Sequence, residues 1–337
     1  MKPKYFAIAL VAGLFGLGGF TPSVNAEVSE VTIADQFGIA YLPLMVMQNQ
    51  KLLEKHAQAA GLGAVKVNWA KFGGAGMMND ALLSGSVDFG VAGIPALVLM
   101  WEKTRGTFDV RGVSAINNTP MYLNTRNPNI KNIGDFTDKD KIALPSAKVS
   151  IQAITLQMAA AKMFGEKQYA RLDSLTVTMS HPDAMAALLS GTGEVTSHFT
   201  SPPFQYQELA KPGVRRVLSS KDVLGEASFI VAYATSKFYK ANPKVYASFV
   251  GALQESMAWI EANRQPAAVL YLKMTKGKDA ELQSMVSMLN DPDMVFELTP
   301  KGIMKYAEFM YEVGTIKTKP SSWKEFFFPN IYNLEGS

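Results

Sequence analysis

The chain contains no cysteine. That single absence removes disulfides, zinc–thiolate centres, iron–sulfur clusters and thiol nucleophiles together. It also removes the lipid-bearing cysteine that a bacterial lipoprotein needs at its cleavage site. Charge is sparse as well: 18% of the 337 residues are Asp, Glu, Lys or Arg, and 33 basic side chains nearly balance 29 acidic ones. Nothing in that balance argues for nucleic acid. No segment after residue 26 is long and apolar enough to span a bilayer. The glycine-rich run Gly73-Gly74-Ala75-Gly76 is not followed by Gly-Lys-Ser/Thr, so it is no nucleotide P-loop. No zinc pair, nucleophile elbow or catalytic dyad occurs, so neither enzymatic chemistry nor a cofactor is expected. Asp135, Asp138 and Asp140 cluster, but without the glycine and bidentate glutamate of a calcium loop; they read as a solvated loop with no metal.

The hydrophobic share is 48%, ordinary for a globular protein, which excludes disorder, collagen and coiled coil as overall classes. The length suggests two domains. The N-terminus reads as an address. Lys2 and Lys4 precede an apolar run from Tyr5 to Phe20, and a small-residue exit follows at Val24-Asn25-Ala26. This is the pattern of a secretory signal over 1–26. A retained anchor is the alternative, but Gly13, Gly16, Gly18 and Gly19 interrupt the run and it is short for a span. The mature chain is therefore expected to be exported, soluble and unanchored, and to reside in a periplasm, where an outer membrane retains it.

From there the period of the apolar residues alternates between two and 3.6. Strands are expected at 31–34, 65–69, 87–91 and 110–116, with helices at 43–56, from the glycine turn to Leu83, and from Pro95 to about Lys103. A second set follows, with strands at 141–144, 175–178, 194–197, 216–218 and 229–233 and helices at 150–164, 183–190 and 204–210. After Asn242-Pro243, a helix-start pair repeated at Thr299-Pro300, the chain reads as nearly all helix. The order is that of α/β architecture with mainly parallel sheets. One repeat organises it. Ala81-Leu82-Leu83-Ser84-Gly85 recurs as Ala187-Leu188-Leu189-Ser190-Gly191, 106 residues on, and the same offset sets Asp88 on Glu194 and Val91 on Ser197. Two lobes of similar plan are implied. Ligands sit beyond the carboxyl ends of strands in such sheets, so two facing sheets make a cleft.

Several stretches in this order resemble one family. They are Tyr41-Leu42-Pro43 after the opening strand, Phe72-Gly73-Gly74-Ala75-Gly76 with Leu83-Ser84-Gly85-Ser86-Val87-Asp88-Phe89, Lys141-Ile142-Ala143-Leu144-Pro145, and Asn242-Pro243 after the strand at 229–233. Over most of residues 30–265 the chain resembles the periplasmic binding components of ABC importers for nitrate, sulfonates and taurine, with the related thiamine-pyrimidine-precursor binders. The resemblance implies a type II periplasmic binding protein fold with a ligand cleft between two lobes. Lobe 1 would be 27–117 with 229–337, lobe 2 would be 118–228, and the crossings would lie near Asn117-Asn118 and Ala227-Ser228. It implies an ABC permease and ATPase in the inner membrane as partners, with the receptor acting as a monomer. A receptor that feeds a sensor is the rival within the class. A pyrimidine synthase of the related branch is disfavoured by the missing cysteines and by the leader.

Candidate site residues come from the loops after the strands. Phe37, Gly38 and Tyr41 follow the first strand and would form an aromatic wall, although aromatics at helical spacing are commonly core. Gly74 and Ala75 either allow backbone N–H groups to approach a ligand or make a plain tight turn. Gly93 and Ile94 would supply close backbone approach. Asn118 belongs to hinge or pocket. Ser146, Lys148 and Ser150 lie in the loop before the helix at 150–164, where hydroxyls, a helix dipole and an ammonium would favour an anion; Lys148 faces either the cleft or solvent. His198, Phe199 and Thr200 are expected in the loop after the repeated strand, with His198 either a ligand contact or a hydrogen-bonded structural residue. The lobe loops carry no arginine fork for a bidentate carboxylate. A sulfonate, such as an alkanesulfonate or taurine, is the first expectation, an aromatic carboxylate or pyrimidine the next, and nitrate or bicarbonate the last.

Overall fold

The computed structural model describes residues 26–337, so the expected leader, apart from Ala26, lies outside the described residues. The first sheet opens with β1 (Glu30–Asp35), α1 (Leu42–Gln50), α2 (Leu52–Ala59), β2 (Lys66–Lys71), α3 (Ala75–Leu83), β3 (Phe89–Gly93), α4 (Ile94–Thr104) and β4 (Val110–Asn118). The second is built from β5 (Tyr122–Thr125), β6 (Lys141–Leu144), α5 (Ile151–Phe164), β7 (Thr176–Thr178), α6 (His181–Ser190), β8 (Val195–Thr200), α7 (Phe204–Leu209), β9 (Arg215–Ser219) and α8 (Ser220–Leu224). The chain then returns through β10 (Ser228–Thr235) and ends in helices: α9 (Ser236–Ala241), α10 (Pro243–Ala262), α11 (Arg264–Thr275), α12 (Leu282–Leu289) and α13 (Ile303–Glu312).

The two five-stranded sheets have orders β2-β1-β3-β10-β4 and β7-β6-β8-β5-β9. In each, one strand runs against the other four: β10 is antiparallel to β3 and β4, and β5 to β8 and β9. The orders correspond position for position, with β3 matching β8 and α3 matching α6. The repeated Ala-Leu-Leu-Ser-Gly therefore marks the same helix end in both halves. The segments joining the sheets are 119–121 and 220–227. Residues 294–301 staple both. Asn118 and Val295 exchange backbone hydrogen bonds of 2.8 and 3.0 Å, and Ser228 donates to Lys301 O at 2.9 Å.

Several boundaries differ from the sequence reading. The helix expected at 43–56 is two helices, because Lys51 takes a left-handed conformation (φ 53°) between them. Strand β5 was not expected; its four residues are too few to show alternation, and its partners lie more than 70 residues away. Strand β8 continues to Thr200, since β6 and β5 flank it; His198, Phe199 and Thr200 are thus strand residues rather than a loop. The last long helix starts at Ile303 after a left-handed Gly302, not at Pro300. Asn242 does not cap α10 with its side chain. The cap comes from Glu27, whose carboxylate accepts from the Lys244 and Val245 N–H groups at 2.9 and 2.8 Å. A buried aromatic stack, Phe89 on Phe249 at 4.1 Å and Phe238 at 5.1 Å, ties the first sheet to the C-terminal helices. Among the described residues no helix is long and apolar enough to cross a membrane.

Candidate functional site

The carboxyl ends of the parallel strands of both sheets point at one another, and the lobes are shut on each other there. Between them lies a cavity of about 20 Å³, room for about one water. Gln36, Phe37 and Tyr41 line it from the loop after β1, Ala75 from α3, and Gly93 from the end of β3. Pro145, Ser150, Ile151 and Gln152 line it from the loop after β6 and the start of α5, His181 from α6, and Phe229 and Ile230 from β10. Four helix N-termini, those of α3, α4, α5 and α6, therefore converge on one space. Their free N–H groups and aligned dipoles favour negative charge. Ser150 caps α5, accepting from Ala153 N–H at 3.2 Å, and Ser180 caps α6.

Two glycines set how far the lobes can close. A methyl group on Gly74 would lie 2.2 Å from Pro145 O and 2.5 Å from Ser146 Oγ; one on Gly93 would lie 2.6 Å from Ile151 Cβ. Direct bonds complete the seam: Gly76 N–H donates to Ser146 Oγ at 3.3 Å, and Ile39 N–H to Pro202 O at 3.1 Å. Phe37 is shared between the cavity and an outer groove of about 760 Å³ that also touches Gly38, Trp69, Pro182, Met185 and Phe204. In that groove Lys71 pairs with Asp35 at 2.7 Å and lies 5.4 Å from the centre of the Phe37 ring. Burial pushes the Asp35 carboxyl up, with Lys71 opposing it. Tyr41 is buried, which raises its phenol well above the usual range.

Behind the cavity wall three buried groups form a chain. His181 Nδ1 lies 2.8 Å from His198 Nε2, and His198 Nδ1 lies 2.6 Å from Glu208 Oε1. Asn124 Nδ2 donates to the other Glu208 oxygen at 2.9 Å, and Gln152 Nε2 is 3.3 Å from His181 Nε2 at the cavity end. Burial lowers both imidazoles and raises the carboxyl.

Of the expected site residues, Phe37, Tyr41, Ala75, Gly93 and Ser150 meet at the cavity, and Gly74 and Ser146 form its seam. Gly38 lines the outer groove. Ile94 and Phe199 are fully buried core, and Thr200 is buried in β8. His198 stands one residue back from the cavity, behind His181. Asn118 lies elsewhere: it is bonded to Glu297 and lines a separate space of about 70 Å³ by the crossing strands. Lys148 is exposed, in a left-handed conformation (φ 66°), and does not reach the cavity. Asp135 accepts from the Lys131 and Asn132 backbone N–H groups of its own loop, whereas Asp140 is buried rather than solvated and accepts from Thr137 N–H and from the Thr137, Asn127 and Thr196 side chains.

The residues that the sequence reading missed are Gln36, Pro145, Ile151, Gln152, His181, Phe229 and Ile230. His181 had a signal, because the 106-residue offset sets it on Ala75, which was singled out. Phe229 and Ile230 had none, since only the long-range return of β10 brings them there.

The model of the NMT1-like family matches residues 24–272. The fold is similar to that of the alkanesulfonate-binding protein of Xanthomonas axonopodis pv. citri, solved bound to MOPS, at TM-score 0.67 and 17% identity over 88% of this chain and 96% of that one. It is similar to the periplasmic aliphatic sulphonate binding protein of Escherichia coli at TM-score 0.65 and 18% identity over 90% and 99%. The periplasmic nitrate-binding protein of Synechocystis PCC 6803 gives TM-score 0.64 and 15% identity over 89% and 84%. These are type II periplasmic binding protein folds, two α/β lobes with a cleft. No curated protein matches the sequence significantly.

Proposed function

The chain belongs to the NMT1-like family, and from that premise we propose that it is the solute receptor of an ABC importer. It binds a small organic anion between its lobes, an alkanesulfonate or taurine first, and hands it to a membrane permease with an ATPase partner. There is no chemistry in this reading, and closure of the lobes is the signal the permease reads. The lobes divide in the joining segments, 119–121 and 220–227. The observation that carries the reading is the convergence of four helix N-termini on a space walled by Phe37, Tyr41 and Phe229. The N-termini suit an anionic head, and the rings suit a carbon body. The volume of about 20 Å³ in the shut form means the lobes part by some ångströms to seat such a ligand.

Export to the periplasm is supported by the use of Glu27. Glu27 is the first residue after the expected cleavage point, and its carboxylate caps α10, so cleavage there would leave that cap in place. Calorimetric titration of residues 27–337 with ethanesulfonate, taurine, nitrate and benzoate tests the ligand class. Saturable binding of a sulfonate with micromolar or tighter affinity supports the reading. Heat only with benzoate moves the ligand to aromatic carboxylates, and no heat with any of them overturns the anion assignment.

A further inference from the structure

Among the described residues no lysine or arginine lines the interlobe cavity. An anion taken there meets helix N-termini and neutral side chains only, and its charge has no cationic partner. The chain of groups behind the wall offers another way to balance it, by taking up a proton. We propose that His181, His198 and Glu208 form a proton-holding relay, so that the cavity takes its small oxyanion together with one proton. This rests on the anion reading above and names what accompanies the anion.

The relay has two hydrogen-bonded states that differ by one proton. In the first, Glu208 is a carboxylate. His198 Nδ1–H donates to it, His181 Nδ1–H donates to His198 Nε2, and His181 Nε2 carries a lone pair. Gln152 then donates its amide N–H to that lone pair and turns its carbonyl oxygen elsewhere. In the second, a proton from solvent has bonded to His181 Nε2. The His181 Nδ1 proton has passed to His198 Nε2, and the His198 Nδ1 proton has passed to Glu208. Every heavy-atom distance can stay as it is, at 2.8 Å between the rings and 2.6 Å to the carboxyl. Both rings remain neutral and the buried carboxylate has lost its charge. At the cavity end the lone pair has become an N–H donor, and Gln152 now accepts from it and presents its NH₂ group instead. An anion favours the second state twice over. It gains donors at the wall, and it no longer faces a buried negative charge. Burial acts in the same direction, holding the carboxyl protonated and the rings neutral.

The groups packed on the relay add no competing charge. Phe204 of α7 stacks over the His181 ring at 5.5 Å, and Gln152 of α5 and Asn124 of β5 are neutral. On α6 itself Asp183 is exposed and bonded to Ser180. From β1 and β2, Asp35 and Lys71 pair with each other in the outer groove beside Pro182.

The test uses residues 27–337 with nitrogen-15 histidine. The chain has three histidines, and a His56→Gln variant assigns the surface one. Without ligand, His181 Nε2 should pass from protonated to bare in one step as pH rises from about 6 to 10, with the Nδ1 protons reversing in the same step. Glu208→Gln, which keeps a hydrogen bond but holds no titrating proton, should remove that step. Calorimetry with ethanesulfonate, in two buffers of different ionisation enthalpy above the step, should show uptake of about one proton per anion, with affinity falling about tenfold per pH unit. The buffer comparison needs only the wild-type protein, so it decides even if Glu208→Gln fails to fold. A His181 Nε2 that keeps one state through the whole range, or anion binding with no proton uptake, overturns the relay. If ethanesulfonate gives no heat, the sulfonate reading fails while the imidazole titration still judges the relay.

Discussion

Replacing Gly74 by alanine should leave the lobes folded and stop them from shutting. The backbone there is extended (φ −171°), which any residue adopts, so alanine brings no strain to its own lobe. The obstacle is across the seam, where the new methyl would stand 2.2 Å from Pro145 O and 2.5 Å from Ser146 Oγ. The lobes must open by roughly 1 Å before that contact becomes ordinary. Opening stretches two interlobe bonds, Gly76 N–H to Ser146 Oγ at 3.3 Å and Ile39 N–H to Pro202 O at 3.1 Å. Each contributes about 1 kcal/mol, and residual overpacking adds about 1–3 kcal/mol if the lobes are forced together. A closed state destabilised by about 3–5 kcal/mol should bind its ligand roughly 140- to 4,000-fold more weakly. Calorimetric titration gives the affinity, small-angle scattering the radius of gyration, and a thermal melt checks the fold. Gly193→Ala is the control, since its methyl would meet nothing within 4 Å. Wild-type affinity together with a wild-type radius of gyration in Gly74→Ala would refute the idea that this glycine sets closure.

Stability should peak near pH 6.5. Burial raises Glu208 to about 8, so above its unfolded value the folded state holds a proton that the unfolded chain has released, and stability falls as pH rises. His181 and His198 are lowered, so below about 6.5 the unfolded chain takes up protons that the folded state refuses, and stability falls as pH drops. Between pH 6.5 and 8 only the carboxyl acts, and urea unfolding should lose about 2 kcal/mol across that window; Glu208→Gln should flatten it. Lys148→Ala should leave affinity for an anion within twofold in calorimetry, because the exposed ammonium does not reach the cavity; a tenfold loss would place it in the cleft after all. Glu27→Ala should cost about 1 kcal/mol in urea unfolding through the lost cap on α10, and no change would mean water serves that helix end equally well.

What could be read from the sequence was whatever is encoded locally. Ser150 before an apolar stripe and Gly165 after it mark α5 at both ends, and the structure has the helix between them. The repeated Ala-Leu-Leu-Ser-Gly carries the twofold plan, because a helix end followed by a buried strand needs the same turn wherever it occurs. Long-range pairing was not legible. The burial that makes Tyr122–Thr125 a strand comes from β8 and β9, and the capping partner of α10 is Glu27, more than 200 residues away. In the site, glycines and loop hydroxyls signalled their places through backbone demands. Lys148 did not, because the direction of a long flexible side chain is set by surroundings that the sequence does not display. His198 was singled out for the wrong position. Its strand runs on to Thr200, which keeps His198 inside the sheet, and the residue that reaches the cavity is His181 at the start of α6.

The position of β10 has a consequence for the order in which the molecule can be made. The five strands of the second sheet occupy one uninterrupted stretch, 122–219, and can pair as soon as that stretch exists. The first sheet cannot. Its β4 has only β10 as a strand neighbour, so a chain that has been synthesised through residue 118 holds three paired strands and one orphan. Closure waits for residues 228–235 to slot between β3 and β4 with two sets of distant pairings, which is the slow kind of contact to form. The first sheet therefore stays open on the ribosome until about two thirds of the chain has emerged. The export proposed above would gain from that delay, since the sheet that enters the channel first is the one that locks last.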